Sequence, residues 1–164
     1  VEDLLIDIPQ AKDLIGRVLE TFGSKYASES AIELILGTGI IESRWRYLSQ
    51  VNGPARGFFQ IEPDTAMDNC QNWLKFRPAE IDRCVYATLI PRRYWIKPNK
   101  QNWDYLLETN IAAGIIHARI KYWRSPEPLP DTISGYAAYW KKFYNTELGA
   151  GTVQKFIDQV SKYV

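Results

Sequence analysis

Apolar residues recur along most of this chain at helical spacing, not in the alternation of a half-buried strand. From Pro9 to Gly23, the positions Ala11, Leu14, Ile15, Val18, Leu19 and Phe22 share one helical face. Pro9 suits the first turn and Gly23 the end. Ser28 or Ser30 caps a second helix whose stripe of Ile32, Ile35, Leu36 and Gly39 runs to about Trp45, where the polar segment 49–56 breaks it. Pro63 and Pro78 read as first-turn residues of shorter helices, the first carrying Trp73 and Leu74 and the second Ile81, Val85 and Leu89. The segment from Pro91 to Lys100 reads as mostly loop. Asn102 is expected to cap a long helix through Leu106, Leu107, Ile111, Gly114, Ile115 and Ala118 to about Trp123, stopped by the proline-rich Ser125–Pro130. Asp131 caps the next, with Ile133, Tyr136, Ala137 and Trp140. A turn at Gly149–Gly151 follows, and Thr152 opens a last amphipathic helix with Val153, Phe156, Ile157 and Val160. No repeat or long linker interrupts the pattern, so residues 1–164 read as one mainly α domain, with at most a short hairpin between Ser49 and Gln60.

One residue conflicts with this pattern. Glu42 follows Ile35 and Gly39 on the stripe that its helix turns toward the core, and it lies near the helix's C-terminal end. Burial and the negative end of the helix dipole both disfavour its ionised form. A carboxyl so placed holds its proton toward neutral pH, as a general acid must. The competing reading pairs Glu42 with Arg44, Arg46 or Arg56.

Composition narrows the field. Of the 164 residues 46% are hydrophobic and 24% charged, which excludes disorder for the bulk of the chain. A net charge of +1 removes the electrostatic case for a dedicated nucleic-acid or anionic-membrane binder. The longest apolar stretch, Ala31–Ile41, is far shorter than the roughly 20 residues of a membrane span and contains Glu33. No secretory signal is visible at the start of the sequence. Cys70 and Cys84 lack metal-ligand spacing, and the single histidine, His117, does not complete a zinc site, so neither metal nor cofactor is expected. Two buried free thiols on neighbouring helices are preferred to a disulfide. The run Arg92, Arg93, Lys97 and Lys100 reads as a solvated loop face more readily than as a site for acidic groups.

Around Glu42 the chain carries more pattern. Glu42-Ser43 is followed by Gly57-Phe58-Phe59-Gln60-Ile61, then Pro63 and Thr65-Ala66. These blocks resemble the transglycosylase SLT family of the lysozyme-like superfamily, in which a helix-ending Glu-Ser precedes a Gly-Leu-Met-Gln segment and a Pro-x-Thr-Ala helix start. Asn110-Ile111-Ala112-Ala113-Gly114 is similar to the family's Asn-Ile-x-x-Gly helix, and Ala137-Ala138-Tyr139 to the start of its Ala-Tyr-Asn block. Together the blocks cover about residues 28–145.

The resemblance implies a lysozyme-like fold with a catalytic groove, acting on peptidoglycan glycan strands at the bacterial cell wall. Glu42 is then the sole catalytic acid and base, Ser43 and Gln60 line the groove, and Tyr139 places its hydroxyl near Glu42. The bond cleaved joins N-acetylmuramic acid to N-acetylglucosamine, and an internal anhydro ring replaces attack by water. Three departures bear on this expectation. Trp140 stands where the family has asparagine, and Tyr144-Asn145 follows only later, so Tyr144 is the second candidate for the groove tyrosine behind Tyr139. Glu62 supplies a second carboxylate that a hydrolytic muramidase could use as its base, although a solvated charge beside a helix start is the preferred reading. His117 replaces a tyrosine and is read as a core or groove-wall residue. Among Trp45, Phe58, Phe59 and Trp103, at most one or two are expected as sugar-stacking walls, Phe59 foremost. The segment from Tyr136 to Val153, with Tyr139-Trp140-Lys141-Lys142-Phe143-Tyr144-Asn145-Thr146, also resembles lysozyme-like proteins of bacteriophages. That implies phage virion proteins as partners and delivery to the wall by a particle or a holin. A catalytically silent structural or binding module is the remaining alternative.

Overall fold

Two helices that are buried on every side organise the molecule, and the others wrap them. The computed structural model describes residues 6–145 and 149–164; Thr146 of the phage-like segment lies outside them. Helix α1 (Ile8–Phe22) begins at Asp7, whose carboxylate accepts the Gln10 amide at 3.1 Å, and it buries the face carrying Ala11, Ile15, Val18, Leu19 and Phe22. Helix α2 (Glu29–Ser43) is capped by Ser28 and buries an unbroken run from Leu34 to Ile40, as expected for a helix with neighbours all round. Helices α3 (Pro63–Asn72) and α4 (Pro78–Thr88) each start at the proline that suits a first turn. Then come α5 (Arg92–Ile96), α6 (Lys100–Thr109) and α7 (Ile111–Trp123), the second central helix, buried from Ala113 to Ile120. Helix α8 (Ile133–Trp140) continues into a π-helical turn, Lys141–Asn145, and α9 (Val153–Val160) is capped by Thr152 and packs on α2 and α8. The Thr38 and Tyr122 hydroxyls, 2.7 Å apart, join α2 to α7. No helix among the described residues is long and apolar enough to cross a membrane.

Several expected boundaries move. The segment 91–100 contains a helical turn, α5, because Trp95 is drawn into the core against Trp103. The expected single helix from Asn102 is two: Asn99 caps α6, and Asn110 caps α7 by accepting the Ala113 amide while donating to Thr88 O. Helix α8 is capped by Thr132, not by its neighbour Asp131. Helix α2 stops at Ser43, short of Trp45. Trp73 ends α3 and Leu74 lies in the following turn. Leu89 caps α4 in the left-handed region and is 84% exposed, so it does not extend the apolar face.

Between α2 and α3 the chain forms no ladder, only isolated antiparallel bridges from Arg56 to Ser49 and to Ile61. Arg44 and Trp45 both take positive φ, 55° and 52°, which turns the chain sharply back beneath the helix end. Trp45 is fully buried and occupies the space that a side chain at Gly39 would need: a Cβ there would lie 2.6 Å from the indole. Gly57 has φ 76°, and a Cβ on it would lie 2.5 Å from the Leu107 carbonyl oxygen, so the segment rests directly on the α6 backbone. These two glycines set the floor of the site.

His117 is a core residue. It lies fully buried between Trp95 and Trp103, and its Nδ1 accepts from Asn69 Nδ2 at 3.1 Å, so the ring proton sits on Nε2. Burial lowers its pKa to about 3. Cys70 on α3 and Cys84 on α4 are free buried thiols, and burial raises the Cys70 thiol to about 12.

Candidate active site

A cleft of about 840 Å³ opens at the C-terminal end of α2. Its walls are the end of α2, the 44–62 segment, α7 at Lys121, the π-helical turn, the Gly149–Gly151 turn and α9. Glu42, Ser43, Gln60, Glu62 and Tyr144 all line it, together with two residues that the sequence reading missed, Lys121 and Trp140.

Glu42 is largely withdrawn from water, and burial raises its pKa above the usual 4.5. Two weaker effects oppose this. The Trp140 indole donates a hydrogen bond of 2.9 Å to Glu42 Oε2, and the Lys121 ammonium lies within electrostatic reach. Since an indole N–H only donates, Oε2 accepts, and because a carbonyl oxygen accepts better than a hydroxyl this bond favours the proton of the neutral acid on Oε1. Arg56, one of the proposed partners of Glu42, instead pairs with Asp104 at 3.1 Å. Replacing Trp140 by phenylalanine should move the Glu42 titration to higher pH, because a bond favouring the carboxylate is lost. Carbon-13 NMR of the carboxyl checks this, and an unchanged or lower midpoint would contradict the assignment.

Lys121 sits mostly buried on α7, and its Nζ donates to the Tyr144 carbonyl at 3.0 Å. Burial lowers its pKa, while Glu42 and Glu62 both act to raise it. Both cleft carboxylates therefore face one ammonium. Glu62 is exposed at the N-cap of α3, with no side-chain cap bond. Ser43 uses its hydroxyl to close the helix, donating to Gly39 O at 3.2 Å and accepting the Trp45 amide at 3.1 Å. Gln60 has φ 49°, and its amide donates to Gly57 O at 2.8 Å, which fixes it in the cleft wall.

The two tyrosines exchange the places expected of them. Tyr139 does not reach Glu42; its hydroxyl bonds Ser125 Oγ at 2.6 Å and donates to Glu127 O at 2.9 Å. Adjacent helical positions point about 100° apart, so Trp140 takes the cleft side and Tyr139 faces away. Tyr144, one turn beyond Trp140, lines the cleft but donates its hydroxyl to Phe59 O at 2.5 Å. It thereby ties the π-helical turn to the 57–61 segment. Phe59 itself is not a wall. Its ring is buried edge-on against Trp45 at 5.2 Å and against α7 at Gly114, beneath the cleft floor. Trp45 and Trp103 are fully buried and Phe58 packs on Trp45, so none of the expected stacking aromatics faces the cleft.

The basic run lies elsewhere, with Arg92 paired to Asp82 and Lys100 to Asp64. No group of three or more His, Cys, Asp or Glu among the described residues is placed to hold a metal ion. No protein-family model matches this chain, and no curated protein and no solved structure matches it either.

Proposed function

We propose that this chain is a lytic transglycosylase that cleaves the bond between N-acetylmuramic acid and N-acetylglucosamine in peptidoglycan, with Glu42 as acid and then base. One observation carries the reading: a mostly buried carboxyl with a raised pKa, held by an indole donor, at the end of a central helix and in the wall of a large cleft. The neutral acid gives its Oε1 proton to the glycosidic oxygen as the C1–O bond breaks. The resulting carboxylate takes the proton of the muramyl C6 hydroxyl, whose oxygen closes on C1 as the anhydro ring. Glu42 ends protonated, ready for another turn, and no second carboxylate is consumed. Lys121 stabilises the intervening carboxylate, and Trp140 keeps the delivering oxygen turned to the substrate.

The proposal carries with it a lysozyme-like arrangement of the helices and action at the bacterial cell wall. The phage-like segment from Tyr136 to Val153 supports delivery by a virion or holin. Glu62 favours a second reading, hydrolysis, because it lines the same cleft and could activate water. Mass spectrometry of soluble products from purified peptidoglycan distinguishes the readings. Anhydromuropeptides from the native protein and none from Glu42→Gln are expected. Reducing-end products lost in that variant would replace transglycosylation by hydrolysis, and no product from folded native protein would leave a silent binding module.

A further inference from the structure

The cleft wall holds three aromatic side chains among the described residues: Tyr47, Trp140 and Tyr144. Two are already spent. Trp140 is 1% exposed with its indole bonded to Glu42, and Tyr144 is 6% exposed with its hydroxyl bonded to Phe59 O. Tyr47 is 48% exposed and lines the cleft, with the Arg46 guanidinium 5.7 Å from its ring centroid.

The chain holds the backbone of this residue in place from both sides. The positive φ of Arg44 and Trp45 reverses the backbone, and the buried Trp45 side chain anchors the reversal against Gly39. On the other side the Leu48 carbonyl accepts the Gly57 amide at 2.7 Å, and the Gln50 amide donates to Ala55 O at 2.9 Å. Between two fixed points the backbone of Tyr47 is already ordered, so binding a sugar there has only the side chain left to order. Ser49, Gln50 and Gln159 line the same cleft and offer hydroxyl and amide groups. An apolar ring face rimmed by such groups matches a pyranose, which has a face of C–H bonds and an edge of hydroxyls and acetamides.

We infer that Tyr47 is a sugar-stacking platform of this cleft, taking the C–H face of one pyranose ring of a glycan strand while Glu42 attends to the glycosidic bond. The inference rests on the glycan-cleaving reading and adds to it the residue that seats a ring. The binding of tetra-N-acetylchitotetraose to Glu42→Gln, followed by NMR, tests it without turnover. Sugar C–H resonances should move upfield through the ring current of Tyr47. Adding Tyr47→Ala should raise Kd roughly tenfold and abolish the upfield shifts. Phenylalanine or tryptophan at position 47 should bind within about threefold of tyrosine, whereas leucine should bind as weakly as alanine. In the otherwise native protein, Tyr47→Ala should raise KM and leave kcat and the melting temperature unchanged. Equal affinity of the Ala and Tyr proteins, or recovery with leucine, overturns the stacking role alone. A folded Glu42→Gln protein that binds neither the tetrasaccharide nor insoluble peptidoglycan overturns the glycan reading and the stacking role with it.

Discussion

Glu42→Gln should lower the rate of peptidoglycan cleavage by about 10²–10⁴-fold, the usual contribution of a positioned general acid and base, while making the protein harder to melt. Both effects come from the same burial. The amide keeps the shape of the side chain and an oxygen to accept from the Trp140 indole, but it has no proton to give the leaving oxygen. The stability change follows from linkage. The folded carboxyl titrates above 4.5, so between that pH and its folded pKa the unfolded chain ionises while the native state still holds the proton. Native stability therefore falls as pH rises through this window, and the deficit persists at neutral pH. The glutamine variant does not incur it. Its melting temperature should exceed the parent's at pH 7 and coincide with it well below pH 4.5. Calorimetry at both pH values checks the sign, and coincident melting at pH 7 would mean that Glu42 is not destabilised by burial.

Helices and caps were readable from the sequence where one signal stood alone. Pro9, Pro63 and Pro78 opened helices and Thr152 capped one, while the choice left open between Ser28 and Ser30 fell to Ser28. Where two cap-forming residues stood close together, Asn99 with Asn102 and Asp131 with Thr132, periodicity did not choose between them, and tertiary contacts did. The division of α6 from α7 turns on one such contact, the bond from Asn110 to Thr88 O. Within the site, Glu42 was legible because a carboxylate conflicts with an apolar stripe. Lys121 carries the same conflict on α7, lying on the face of Gly114 and His117, and that argument could have found it. The assignment of Tyr139 failed because a block similarity counts residues and not degrees around a helix. The stacking aromatics failed for a different reason. Trp45 and Phe59 have the composition of a sugar-binding wall, but the glycines at 39 and 114 leave notches that draw both rings inward. Tyr47 gave no periodic signal because it follows a reversal of the chain.

Trp45→Ala should cost about 3–5 kcal/mol, a large part of the roughly 5–15 kcal/mol that holds a domain folded. The indole is fully buried, fills the Gly39 notch and meets Phe58 and Phe59 at 5.3 and 5.2 Å, so its loss leaves a cavity that a helix end cannot collapse to fill. It also frees Arg44 and Trp45 from strained φ values, at about 1–3 kcal/mol each, that persist only while the anchor holds. Trp45→Phe separates the ring from its polar atom. Trp45 Nε1 is buried without a hydrogen-bond partner among the described residues, a burden of about 1–3 kcal/mol that phenylalanine removes while it keeps most of the packing. The phenylalanine variant should therefore lie close to the parent in urea unfolding. Gly39→Ala is the reciprocal probe. In the parent, its methyl meets the rigid indole and should cost about 1–3 kcal/mol, whereas in the Trp45→Ala background it enters the vacated space. The double-mutant cycle should then show a favourable coupling of about 0.5–3 kcal/mol, and additivity within error would deny that indole and helix backbone share one space. Since the same anchor fixes the end of α2 and the segment carrying Tyr47, Trp45→Ala should also lose more activity than its unfolded fraction explains.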